Sequence, residues 1–204
     1  MKITVIGDSI TEYNYRAKKN WVMYLDDIND TKIQNLGISG TGFAKKDPYI
    51  NRIGLINGDV ELIGVAVSFN DLNTELPIGE IDDFEEKSLM GYLNRFVAKL
   101  LEINSDKKII FYVQNVWSMY RPGKSRSDEY ISKVEQVCQR KNIDFYTEMY
   151  YEDKDLRPWE WENRLLYFTS DNEELGDTGL VDDVHPNSEG HRVIAKKLRK
   201  YFGI

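Results

Sequence analysis

The sequence predicts an α/β protein built on a mostly parallel sheet with helices on both faces. Three observations carry this prediction. Short continuous runs of Ile, Val and Leu recur along the chain, bounded by polar residues, as strands buried on both sides read. Longer stretches with apolar residues at helical spacing stand between them. The two patterns alternate instead of clustering, which builds parallel strand pairs joined by crossover helices.

The first strand is expected at residues 2–6, the apolar run that ends abruptly in Gly7-Asp8-Ser9. A helix is expected around 20–28, where Trp21, Leu25 and Ile28 fall on one face. The second strand, 32–36, runs into the glycine-rich stretch NLGISGTG. The third, 62–67, runs into SFND. A long helix over 84–103 carries Leu89, Leu93, Phe96, Val97, Leu100 and Leu101 as its apolar stripe. The acidic run 80–86 is expected at its start, where negative charge suits the helix dipole. The fourth strand, 108–113, precedes a helix over 127–141 with Tyr130, Ile131, Val134, Val137 and Cys138 inward. A fifth strand at 143–147 and a last helix at 188–201 complete the order. In such sheets ligands sit at the carboxyl ends of strands. That rule singles out the polar or glycine-rich ends at Ser9, Gly40 and Asn70.

Bulk properties narrow the function. The 204 residues show no repeat, low-complexity tract or Pro/Gly-rich linker, so a single domain over 1–204 is expected. A net charge of −7 argues against nucleic acid as a partner, since phosphate binding rests on Lys and Arg. The single cysteine, Cys138, allows neither an internal disulfide nor a cysteine-based metal site. No apolar stretch is long enough to span a bilayer, and the start lacks the pattern of a signal peptide. A cytoplasmic protein without a membrane partner is expected.

Several motifs fail on spacing. GISGTGF lacks the Lys-Ser/Thr of a phosphate loop and the third glycine of a dinucleotide fingerprint. Thr11 and Thr41 stand where a nucleophile elbow needs its second glycine. The only histidines, His185 and His191, are six apart and lack zinc spacing.

One constellation remains. In DDVHPN, Pro186 keeps His185 out of a helix, so Asp182 and His185 share a loop. Asn187 or Ser188 can cap the helix that follows. A loop lets the Asp182 carboxylate fold back on the imidazole three residues on, the base–orienter pair that activates a serine. Asp183 is the rival carboxylate. Ser9 is the matching hydroxyl. The Ser9 N–H, the Gly40 N–H and the Asn70 side-chain amide are candidate donors to an oxyanion. His191 reads as structural, and Asp8 and Asp71 read as hydrogen-bonding scaffolds for their loops.

Together GDSI (residues 7–10), NLGISG with Gly40, ND with Asn70, and DDVHPN with Asp182 and His185 resemble the four blocks of the SGNH, or GDSL-type, esterases and lipases. The match runs from first strand to last helix. It implies a flavodoxin-like, three-layer α/β/α fold with five parallel strands in the order 2-1-3-4-5. It implies hydrolysis of acyl esters of carbohydrates, lipids or other small molecules without metal or cofactor. Ser9 is then the nucleophile, His185 the base and Asp182 its orienter, with Ser9, Gly40 and Asn70 as the oxyanion hole. The third block usually reads Gly-x-Asn-Asp; here Ser68 takes the glycine place, followed by Phe69.

Phe69 narrows the pocket if its ring faces it; the aromatic stretch 150–168, with Trp159 and Trp161, can overhang the site, but packing of its rings on the core is the preferred reading. These features, with no long apolar surface helix, point to a short acyl group such as acetyl. The same triad also serves an acyltransferase, and a non-catalytic carbohydrate-binding domain can keep this fold; both readings stay open at this point.

Overall fold

The computed structural model describes residues 1–12, 16–114, 124–151, 156–173, 178–182 and 184–204. Five parallel strands run β1 (Lys2–Gly7), β2 (Lys32–Gly37), β3 (Leu62–Ala66), β4 (Lys108–Tyr112) and β5 (Asp144–Tyr146). Their order in the sheet is β2-β1-β3-β4-β5, all parallel. Gly7 pairs with Gly37, and Ile6 with both Leu36 and Val65. The ends of β1, β2 and β3 therefore lie side by side on one edge.

Six α-helices flank the sheet among the described residues: α1 (Trp21–Asp26), α2 (Leu89–Ile103), α3 (Lys124–Arg140), α4 (Glu148–Tyr151), α5 (Trp161–Tyr167) and α6 (Ser188–Phe202). Successive strand residues face opposite sides. Ile63, Val65 and Phe111 join Leu93, Phe96, Ile131 and Val134 of α2 and α3 in one core. Leu62, Ala66 and Tyr112 join Trp21, Leu25, Ile194, Leu198 and Phe202 of α1 and α6 in the other. This is the expected three-layer arrangement. Within the first core Phe43 packs edge-on against Tyr49 and Phe96, and stacks on Phe111.

Helix starts follow their caps. The side chains of Asn20, Ser88 and Asn187 accept from the N–H of Met23, Gly91 and Gly190, at 3.0, 3.1 and 3.0 Å. The acidic run does not open α2 as expected. Asp83 accepts from Ser88 Oγ at 2.7 Å and from the Glu80 N–H at 3.0 Å, which folds 80–88 into turns and delays the helix to Leu89. β2 also departs from the buried pattern, because it is an edge strand and is only partly covered. Two short 3-10 turns, Tyr49–Leu55 and Phe69–Asn73, had no periodic signal. No helix among the described residues is long and apolar enough to cross a membrane.

His191 on α6 is fully buried, in keeping with a structural role. Burial first, and then the charge of His185, lower its pKa from 6.5 to about 3. Below 6.5 the unfolded chain takes up a proton that the folded protein refuses until about pH 3. His191 thus contributes stability at neutral pH that is lost as pH falls. Buried Asp71, raised to about 6, acts in the opposite sense over a narrower window. Replacing His191 by Gln is expected to flatten the acid-side loss of stability between pH 6.5 and 4. The slope should fall by up to about 1.4 kcal/mol per pH unit, read from urea midpoints.

Candidate active site

Beyond β1 the chain turns at once. The Asp8 carbonyl accepts from the N–H of Thr11 and Glu12, at 3.1 and 2.9 Å, and its carboxylate from the Ile10 N–H at 3.0 Å. This turn sets the half-buried Ser9 at the carboxyl edge of the sheet. Beyond β2 the Ile38 N–H donates to Gly7 O at 3.1 Å, tying the glycine-rich loop to the end of β1. Gly40 has φ +73°, the left-handed region that favours glycine. A Cβ on Gly42 would stand 2.4 Å from Asp71 Oδ1. Glycine there lets the Asp71 carboxylate accept from the N–H of Phe43 and Ala44, at 3.0 and 2.8 Å. Beyond β3, Ser68 caps the turn that carries Asn70.

Asp182 and His185 arrive from the far end of the chain. The Asp182 N–H donates to Phe168 O at 2.8 Å, next to an antiparallel bridge between Thr169 and Val181. Asp182 Oδ1 accepts from the N–H of Val184 and His185, at 2.7 and 3.1 Å, so the loop folds back on itself. His185 Nδ1 then lies 3.2 Å from Asp182 Oδ2, and Nε2 lies 3.1 Å from Ser9 Oγ. An ionised carboxylate only accepts, so Nδ1 carries the hydrogen and Nε2 is left to accept from the serine hydroxyl. Burial pushes the Asp182 carboxyl up. The ring hydrogen bond and charge of His185, with the two backbone donors, outweigh this and hold it well below the usual carboxylate range.

The structure thus brings Ser9, His185 and Asp182 into one hydrogen-bonded line. Gly40 and Asn70 meet through Thr41, whose carbonyl accepts from Asn70 Nδ2 at 3.0 Å. Among the described residues, the backbone N–H groups of Ser9 and Gly40 donate to no protein acceptor. Asp8 and Asp71 are buried scaffolds, as expected. Burial raises the Asp8 pKa, although donors from Ser68, Ile10 and Gln114 and the charge of His185 pull it back. Asp183 lies outside the described residues, as do positions 152–155 of the aromatic stretch.

Phe69 corrects an expectation. It is 3% exposed, and its ring stacks on Tyr150 at 5.8 Å. The 3-10 turn after Ser68 points this ring into the core, so it does not narrow an open pocket. Trp159 packs partly on the core and, with Lys124, Tyr150, Tyr151 and Arg157, lines a cavity of about 260 Å³. Trp161 opens α5 and is 61% exposed.

Three residues of the site had no motif to announce them, and the role of a fourth, Ser68, was not readable from its block. Arg16 Nε donates to Asp182 Oδ2 at 3.1 Å, placing a cation on the carboxylate that faces His185. Arg52 is buried, and its guanidinium donates to Gly7 O at 2.9 Å, to Leu36 O and to Thr41 Oγ1 at 2.8 Å. Gln114, just past β4, donates to Asp8 Oδ1 at 2.7 Å and accepts from Thr11 Oγ1 at 2.9 Å. Ser68 Oγ donates to Asp8 Oδ2 at 2.6 Å.

Comparisons with known proteins bear on the fold and the family. Solved structures similar in fold include a protein from Lactobacillus plantarum, 24% identical with TM-score 0.81, covering 99% of this chain and 96% of that one. A member of the lipolytic G-D-S-L family from Veillonella parvula is 18% identical with TM-score 0.64, over 99% and 98% of the two chains. A family two carbohydrate esterase from Clostridium thermocellum, in complex with cellohexaose, is 14% identical with TM-score 0.62, over 99% of this chain and 64% of that one. No curated protein matches the sequence. The profile of the GDSL-like lipase/acylhydrolase family matches residues 5–193. With its parallel sheet and its serine, histidine and aspartate in line at the sheet edge, the chain belongs to the GDSL-like lipase/acylhydrolase family and is an ester-hydrolysing enzyme.

Proposed function

We propose that this chain is a serine esterase acting through Ser9, His185 and Asp182. The observation that carries the reading is the unbroken line from Ser9 Oγ to His185 Nε2 at 3.1 Å and from Nδ1 to Asp182 at 3.2 Å. Ser9 Oγ attacks the ester carbonyl while His185 Nε2 takes its proton. Asp182 stabilises the imidazolium that forms. The oxyanion is held by the N–H groups of Ser9 and Gly40 and by the Asn70 amide. Each is worth a factor of about 10²–10³ in such sites. His185 returns the proton to the departing alcohol, and the Ser9 ester remains. Water then repeats the sequence and releases the acid.

The substrate we propose is a short acyl ester, acetyl-like, of a carbohydrate or other small molecule. Fold similarity to a carbohydrate esterase supports this class, as do the aromatic side chains around Trp159. A second reading, a longer acyl chain, is favoured by the apolar side chains exposed near Asp182. These are Trp161, Leu165 and Leu166 on α5, followed by Leu180 and Val181.

Two experiments test these readings. Ser9→Ala is expected to abolish fluorophosphonate labelling and to cut p-nitrophenyl acetate turnover by about 10³-fold or more. Asp182→Asn should cost about 10²–10⁴-fold in kcat with KM little changed. Labelling at another residue, or an active Ser9→Ala, would rule the nucleophile out. In a series of p-nitrophenyl esters, acetate is expected to give the highest kcat/KM. Equal or faster turnover of eight-carbon or longer acyl groups (counted by the about 0.8 kcal/mol gained per buried methylene) would replace the short-chain reading by the second.

A further inference from the structure

Ser68 occupies the place where the third sequence block usually has glycine, and it is fully buried. Its Oγ lies 2.6 Å from Asp8 Oδ2, 3.0 Å from Thr41 O and 3.2 Å from the Asn70 N. A hydroxyl has one hydrogen to give and two lone pairs to offer. The nearest acceptor is also the charged one, so the hydrogen goes to Asp8. A lone pair takes the Asn70 N–H. The Thr41 carbonyl is then served by Asn70 Nδ2 at 3.0 Å. A carbonyl can only accept, so this bond fixes which end of the Asn70 amide faces Thr41. One Nδ2 hydrogen is used there, and the second stays available.

These bonds run through three strand ends. Asp8 is the chain neighbour of Ser9, Thr41 is the neighbour of Gly40, and Asn70 brings its own amide. The other Asp8 oxygen is fixed independently by Ile10 N and Gln114 Nε2, at 3.0 and 2.7 Å. The Asp8 carboxylate is therefore a rigid anchor, and Ser68 carries that rigidity across to Asn70.

We propose that Ser68 is a positioning residue that presets the Asn70 amide, and its spacing from Ser9 and Gly40, before substrate arrives. This rests on the reading of Ser9 as the nucleophile. Donors aimed in advance at the developing charge need no reorganisation during reaction. Without the hydroxyl, Asp8 Oδ2 loses this donor and the Asn70 N–H loses its acceptor, so the backbone that carries Asn70 is no longer tied to Asp8 and the amide keeps only its bond to Thr41 O. The interaction grows from ground state to transition state, and its loss should appear in kcat more than in KM.

The test is a double-mutant cycle on p-nitrophenyl acetate hydrolysis with wild type, Ser68→Ala, Asn70→Ala, the double variant and Ser9→Ala. Ser68→Ala is expected to lower kcat about tenfold with KM within about twofold. The double variant should fall within about twofold of Asn70→Ala alone, because Ser68 acts through Asn70. A merely structural residue would give multiplicative losses. A kcat for Ser68→Ala within twofold of wild type, or multiplicative losses in the double variant, overturns the proposal. If Ser68→Ala does not fold, Ser68→Cys keeps the volume with a weaker donor, and the same cycle and criteria apply. An active Ser9→Ala would defeat the nucleophile reading itself. An inactive Ser9→Ala beside an unimpaired Ser68→Ala would defeat only this inference.

Discussion

Buried charge at the carboxyl edge of the sheet is the constraint on which the site depends. Where parallel strands stop, their last carbonyl and N–H groups lose ladder partners and must find others. Here Arg52 serves the carbonyls of Gly7 and Leu36, Asp71 gathers the N–H groups of Phe43 and Ala44, and Asp8 gathers that of Ile10. Tyr130 adds its hydroxyl to Asp71 from α3 at 3.1 Å. Hydrogen bonds to charged groups are worth about 1.5–3 kcal/mol each, and leaving a buried charge short of a partner costs more. The loops as folded give all three ions partners at once. That arrangement places Ser9, Gly40 and Asn70 on the same edge.

The fold was largely legible in the sequence because its signals are local. Apolar runs, helical stripes and the caps Asn20 and Asn187 each act within a turn or two of the chain. The start of α2 was misread for a related reason. The acidic run looks like a helix beginning, but Asp83 binds back to Ser88 and Glu80, and that choice depends on three-dimensional competition. The line of Ser9, His185 and Asp182 was legible too, since Pro186 forces a loop and the spacing lets carboxylate and ring meet. The parts played by Arg16, Arg52, Gln114 and Ser68 were not, although the third block had marked Ser68 as a departure. Their partners lie 166, 45, 106 and 60 residues away, and no periodicity encodes such a pairing. Phe69 was misdirected because a strand-to-3-10 turn decides which way a ring points.

The two histidines show how environment separates identical side chains. His185 sits on a loop, partly exposed, between a carboxylate and a hydroxyl. His191 sits one turn into α6 on its core side and is held neutral by burial. They are six positions apart, yet only one is placed to exchange a proton with Ser9.

Ser9 and His185 are 176 positions apart, and this has a consequence for biosynthesis. The hydroxyl leaves the ribosome long before the imidazole and its carboxylate, which emerge just ahead of α6. Throughout that interval a nascent chain carries Ser9 with no imidazole beside it. The hydrogen-bonded line of Ser9, His185 and Asp182 forms only once the segment ahead of α6 has closed, so a chain cut before Asp182 lacks it.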